Sequence, residues 1–137
     1  MIGDSEGISI SGLIQEHGAE FGLKDDWGWD CGVPGLPGVM FRADTHVFGC
    51  ACQRARDLSL GEVEGRRQVR AVMDLLRKYA GDRDFRLISL FSHLGIRDSV
   101  HYESLYRITG EELMVGAASP DTVAQGTYPI DVHHSDN

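Results

Sequence analysis

Ser59-Leu-Gly-Glu-Val-Glu-Gly-Arg-Arg-Gln-Val-Arg-Ala-Val-Met-Asp-Leu-Leu-Arg-Lys-Tyr-Ala-Gly81 decides how this chain is read. Val63, Val69, Val72, Met73, Leu76 and Tyr79 recur at spacings that place them on one helical stripe. Arg66, Arg67, Arg70, Arg77 and Lys78 fall on the wetter faces. Ser59 and Glu62 stand at capping-box spacing, and Gly81 suits a left-handed stop. The pattern predicts a helix over about 60–80, roughly 30 Å long at about 1.5 Å per residue.

Around it the pattern turns extended. Val39 to Arg42, His46 to Cys50, Phe85 to Phe91 and His101 to Ile108 carry the β-branched and aromatic content of strands, and Ile130 to His133 is a last extended piece. Ile8 and Ile10 suggest a short strand leading into a helical turn over Ile14 to Phe21. Pro and Gly punctuate Trp27 to Gly38 so often that it reads as a loop. Thr109 and Glu112 form a second capping box, opening a short helix that Gly116 ends. The expected class is α+β, a mainly antiparallel sheet packed on one long helix. Residues 1–38 are expected to be a Gly/Pro-rich segment packing on a core domain of residues 39–137.

The chain has 137 residues, 42% of them hydrophobic, enough for one core. Its net charge of -8 argues against nucleic acid or an anionic membrane surface as partner. No run approaches the roughly 18 apolar residues of a membrane span. Three cysteines without an apolar leader fit free thiols in a reducing cytoplasm.

Three groups could carry chemistry. Arg97, beside Asp98 in a short connection, could offer its planar fork to a carboxylate or phosphate, or to the anionic edge of a flavin. The bland alternative is a surface loop in which the two pair with each other. Asp131 and His133 alternate on one strand face, close to His134 and Asp136. A metal there would need a third ligand such as His46 or Cys50, so a polar chain end is the better expectation and no metal is assigned. Cys50-Ala-Cys52 lacks the two-residue spacer of zinc and redox turns and reads as core cysteines. Trp27 and Trp29 could stack a ring but more simply pack under the loop.

The runs Arg42-Ala-Asp-Thr-His-Val-Phe-Gly-Cys50, Ala55 to Val69 with its Glu64-Gly-Arg-Arg67, Leu76-Arg-Lys-Tyr79, Leu94-Gly-Ile-Arg-Asp-Ser99, Thr109-Gly-Glu-Glu-Leu113 and Tyr128-Pro-Ile-Asp-Val-His133 resemble, in order and spacing, a family of large two-domain FAD-dependent oxidoreductases. The resemblance covers roughly Val39 to Asp136. It implies a stretch of the β-rich domain inserted beside the FAD domain, an internal or C-terminal-half fragment. The family's opening Gly-x-Gly-x-x-Gly has no counterpart. The implied parent reaction passes a hydride from an organic substrate to flavin. Arg97 and Asp98, then Asp131 and His133, become the flavin- or substrate-facing candidates. FAD is the family's cofactor, expected not to be held by this chain alone, and no turnover is expected without a complementary FAD-binding chain. The other expectation is a stand-alone binding or oligomerisation module derived from that domain, with a homo-oligomer as its partnership. A metal-dependent hydrolase using His46, Asp131 and His133 is a distant third.

Overall fold

The computed structural model describes residues 2–3, 8–24, 28–43, 45–97 and 100–129. In chain order the elements are β1 (Ile2–Gly3), α1 (Ile10–His17), a 3-10 turn (Gly18–Phe21), β2 (Trp29–Gly32), β3 (Val39–Ala43), α2 (Ala55–Tyr79), β4 (Arg86–Leu87) and α3 (Gly110–Val115). The strands form one antiparallel sheet in the order β2-β3-β1-β4. The class is α+β.

The long helix starts earlier than its capping signal predicts. Cys50 to Arg54 curl into a tight turn, with Cys52 N–H donating to the Cys50 carbonyl at 3.0 Å and Arg54 N–H to Ala51 at 2.8 Å. Helix α2 leaves that turn at Ala55 and runs for 25 residues. Ser59 therefore sits inside the helix, its Oγ donating back to the Ala55 carbonyl at 2.9 Å. Glu62 is released from capping and instead accepts the Leu94 backbone N–H at 2.5 Å. At the far end Gly81 takes φ 72°, the left-handed geometry expected of it.

The buried face of α2 is made by Ala71, Val72, Met73, Leu75 and Leu76. Leu75, absent from the expected stripe, is fully buried, whereas Val63 is 67% exposed. The stripe fails at its N-terminal end because that half of α2 approaches its neighbours through glycine. A Cβ on Gly61 would lie 2.9 Å from Leu94 Cδ1 and 3.0 Å from Cys50 Sγ, and one on Gly65 would lie 3.1 Å from Leu94 Cδ2. Those glycines give up helix propensity, about 1 kcal/mol each, for close approach.

The core is helix against helix. Ile10 and Ile14 of α1 meet Val72, Met73, Leu75, Leu76 and Ala80, with Phe85 closing one end and Leu13, Phe21, Leu23 and Tyr79 around the edge. Ser9 caps α1 by accepting the Gly12 N–H at 3.1 Å. The predicted strand at Ile8 and Ile10 is thus an extended lead-in to a helix. Sheet and core are tied by Arg42 on β3. Its side chain is only 5% exposed, with Nη1 on Asp30 of β2 at 2.6 Å and Nη2 on Ser11 of α1 at 3.2 Å.

The Trp27–Gly38 loop contains a strand. Trp29, Asp30, Cys31 and Gly32 pair with Ala43, Arg42, Phe41 and Met40. Only the connection is loop, with Leu36 N–H donating to Val33 and Val39 N–H to Leu36 around Gly35 (φ 78°) and Gly38 (φ 76°). Both turns need a positive φ after proline, which glycine supplies. Trp27 lies outside the described residues.

Other strand expectations shrink. Of Phe85–Phe91 only Arg86 and Leu87 pair, and His46–Cys50 and His101–Ile108 form no ladder. Their β-branched and aromatic side chains suit a strand, but a strand needs a partner edge and these segments have none among the described residues. Ile130–His133 lies outside the described residues.

The chain divides into two units, residues up to 97 in one and 100–129 in the other. The second holds α3, whose capping box forms as expected: Thr109 Oγ1 accepts from Glu112 N–H and Glu112 accepts from Thr109 N–H at 2.7 Å. Gly116, at φ 60°, ends it. No residue described in this unit is buried.

Candidate functional site: a cleft beside the long helix

Gly22 adopts φ 64° and stops the 3-10 turn, so that the carbonyls of Phe21 and Gly22 face α2. Arg67 meets them, donating from Nη2 to Gly22 at 3.0 Å and from Nη1 to Phe21 at 3.4 Å. Its other edge grips Glu64 in a fork, Nε to Oε2 at 2.7 Å and Nη2 to Oε1 at 2.8 Å. One turn on, Gln68 Nε2 donates to Glu64 Oε1 at 3.0 Å and to the His46 carbonyl at 2.8 Å, fixing the 45–48 segment to α2.

These groups line a cleft of about 230 Å³ whose other walls are Ile14, Leu23, Val47, Phe48 and Val72. Lys24 Nζ stands 5.7 Å from the centre of the Phe48 ring, and the His46 and Phe48 rings are 6.0 Å apart. The Arg67 hydrogen bond, followed by that from Gln68, holds the Glu64 carboxyl below its ordinary value of 4.5, against the opposing effect of burial. Glu64 in turn holds the Arg67 guanidinium above its usual range. The cleft is therefore an apolar groove whose polar side carries the fixed Glu64–Arg67 pair, Gln68 and the further cation Lys24. It can seat a small or partial ligand by shape, with His46 and Lys24 in its lining.

A second network, outside the cleft lining, ties the 3-10 turn to the C-terminal end of α2. Glu20 accepts from Lys78 Nζ and Tyr79 Oη, each at 2.5 Å, while His17 stacks on Tyr79 at 3.8 Å. The Lys78 hydrogen bond, then that of Tyr79, lowers the Glu20 pKa, and Glu20 raises that of Lys78.

Arg97 is exposed, in irregular chain after Leu94, and is not part of the cleft wall. Asp98, Asp131 and His133 lie outside the described residues. His46 does line the cleft. Cys50 and Cys52 are half-buried at the start of α2 rather than in the core, and Cys31 is exposed. The cleft residues Glu64, Arg67 and Gln68 escaped sequence reading because charged and amide side chains on a long helix ordinarily face water. The available signal was their i, i+3, i+4 spacing, which lets one carboxylate collect two donors.

FAD fits this geometry poorly. Ligand pockets run to roughly 300–1,000 Å³, and among the described residues no glycine-rich turn joins a strand to a helix N-terminus to cradle a pyrophosphate. Nor does any group of three or more His, Cys, Asp or Glu among the described residues stand ready to hold a metal ion. No described helix is long and apolar enough to cross a membrane.

Comparison with curated proteins and with solved structures finds no match. A family model described as FAD dependent oxidoreductase matches residues 16–137, which takes in the last two residues of α1, the 3-10 turn, every cleft residue but Ile14, and the whole of α2 and α3. The earlier resemblance rested on residues from Val39 onward, and the match extends it to the 3-10 turn and the carbonyls that Arg67 holds. On that extent the chain belongs to the FAD-dependent oxidoreductase family.

Proposed function

We propose that this chain supplies the substrate-side part of a flavoenzyme that passes a hydride from an organic substrate to FAD, the flavin being held mainly by protein outside these residues. By itself the chain neither retains FAD nor turns over. One observation carries this reading beyond family membership: Leu105, Tyr106, Ile108, Leu113, Met114 and Val115 are all exposed. Monomeric surfaces scatter apolar side chains singly, whereas a run of them fits a surface that another protein region covers. The cleft, too small for a dinucleotide, fits the same division of labour.

In this reading Arg97 and Asp98 face flavin or substrate, with Asp131 and His133 in second place, and the protein works in the cytoplasm. The exposed residues of the 100–129 unit also favour a second reading, a binding module that associates with copies of itself. The test is an absorption spectrum of the purified chain after incubation with FAD and desalting. A colourless protein agrees with the proposal, and flavin bands that survive desalting overturn it. Sedimentation over a range of concentrations separates the second reading, which requires association that grows with concentration.

A further inference from the structure

Cys50 and Cys52 are placed for a reaction with each other. The turn Cys50–Arg54 folds the chain back so that Cys52 Sγ donates to Cys50 Sγ at 3.6 Å and to the Cys50 carbonyl at 3.5 Å. Cys50 Sγ donates to the Asp57 carbonyl at 3.1 Å and stands 3.0 Å from where a Cβ on Gly61 would lie. Helix α2 thus holds one sulfur at a fixed place, through a glycine that makes room for it, and the turn brings the other to it.

We propose that Cys50 and Cys52 form a reversible disulfide by exchange with a low-molecular-weight disulfide of the glutathione type. One thiol, as its thiolate, attacks a sulfur of that disulfide, forming a mixed disulfide and expelling one small thiolate. The second protein sulfur, deprotonated, attacks the protein sulfur of the mixed disulfide. The Cys50–Cys52 bond forms, the second small thiolate leaves, and the protein pair has lost two electrons and two protons to two molecules of small thiol. Closure brings the two sulfurs from 3.6 Å to a bond of about 2 Å.

Burial, then the neighbouring Cys52, holds the Cys50 thiol above its ordinary value of 9.0. Cys50 therefore rests as a thiol and responds to a disulfide rather than acting as a standing nucleophile. A disulfide in a reducing compartment is characteristically transient and redox-sensing. Its place gives it a target. Residues 46–48 immediately before Cys50 form one wall of the cleft, and the bond stiffens the turn that joins that wall to α2.

The test uses the full chain carrying Cys31→Ser, which removes the exposed third thiol. It is incubated with glutathione disulfide, quenched with acid, and read by free-thiol count and intact mass, with a urea-unfolded sample in parallel. The expected result is loss of both thiols with a mass decrease of two hydrogens, no retained glutathione, no dimer, and full reversal by dithiothreitol. C50S and C52S in the same background should instead keep one glutathione each. Retained glutathione on the intact pair, a disulfide-linked dimer, or two persistent free thiols would overturn the proposal. So would an unfolded chain that closes the bond as readily as the folded one.

Discussion

Leu75 and Leu76 show how one turn of helix concentrates stability. Both are fully buried between α1 and the chain around Phe85. Leu75→Ala or Leu76→Ala should each cost about 2–5 kcal/mol, a lost transfer term plus an unfilled cavity. Val63→Ala, on the same helix but 67% exposed, should change stability by less than about 0.5 kcal/mol. Urea unfolding of the three variants checks this. Gly61 behaves oppositely to a surface glycine: branched atoms there meet Leu94 and Cys50 at once, so Gly61→Val should cost about 1–3 kcal/mol by overpacking.

The carboxylates give pH dependence a definite sign. Glu20 and Glu64 have folded-state pKa values below the ordinary 4.5, through Lys78 and Arg67 respectively. Their stabilisation is complete above pH 4.5, the unfolded value, and is lost as pH falls through the lower folded values. Lys78 is raised above 10.5, so its share is complete below that pH and lost as pH rises through the folded value. Glu20→Gln and Glu64→Gln should each flatten the acid limb of a stability-versus-pH curve below pH 4.5, with Glu20→Gln also flattening the alkaline limb. Unchanged limbs would mean that these pairs are not formed in solution.

Among the elements, α3 has no core to lean on and depends on its caps. The Tyr106 hydrogen bond, followed by those from Thr109, lowers the Glu112 pKa. Thr109→Ala should raise the Glu112 value toward 4.5 and weaken α3 by about 1 kcal/mol. A carbon-detected NMR titration of Glu112, with the α3 amide shifts, reads both effects. Helix α2 is the opposite case. Its start has no side-chain cap, and the Cys50–Arg54 turn, with Leu58 N–H on the Arg54 carbonyl at 3.0 Å, launches it instead. The Ser59–Glu62 spacing mimics a cap that the tertiary structure passes over, because Glu62 finds a better donor in the Leu94 backbone.

For the whole molecule, stability should be uneven. Amides around residues 72–76, beneath the packed α1–α2 face, should exchange with solvent only on global opening. Those of 100–129 outside α3, with no buried side chain and no ladder, should exchange orders of magnitude faster. Hydrogen-exchange mass spectrometry measures the contrast. If another protein region covers the apolar residues from Leu105 to Val115, its addition should slow exchange there selectively while leaving 72–76 unchanged.

The sequence by itself determined whatever depends on neighbours along the chain. The helical period in the C-terminal half of 60–80, the Thr109–Glu112 box and the glycine stops at Gly81 and Gly116 are all local, and all stand in the structure. Tertiary structure decided what depends on distant partners. It made strand of Trp29–Gly32 because β3 lay alongside, used residues 46–48 as a cleft wall rather than as a strand, and buried Arg42 between Asp30 and Ser11. It also assembled Glu64, Arg67 and Gln68 with the Gly22 and His46 carbonyls, groups up to 45 residues apart. Strand pairing and desolvation are properties of surfaces that meet only after folding, so no reading along the chain could supply them.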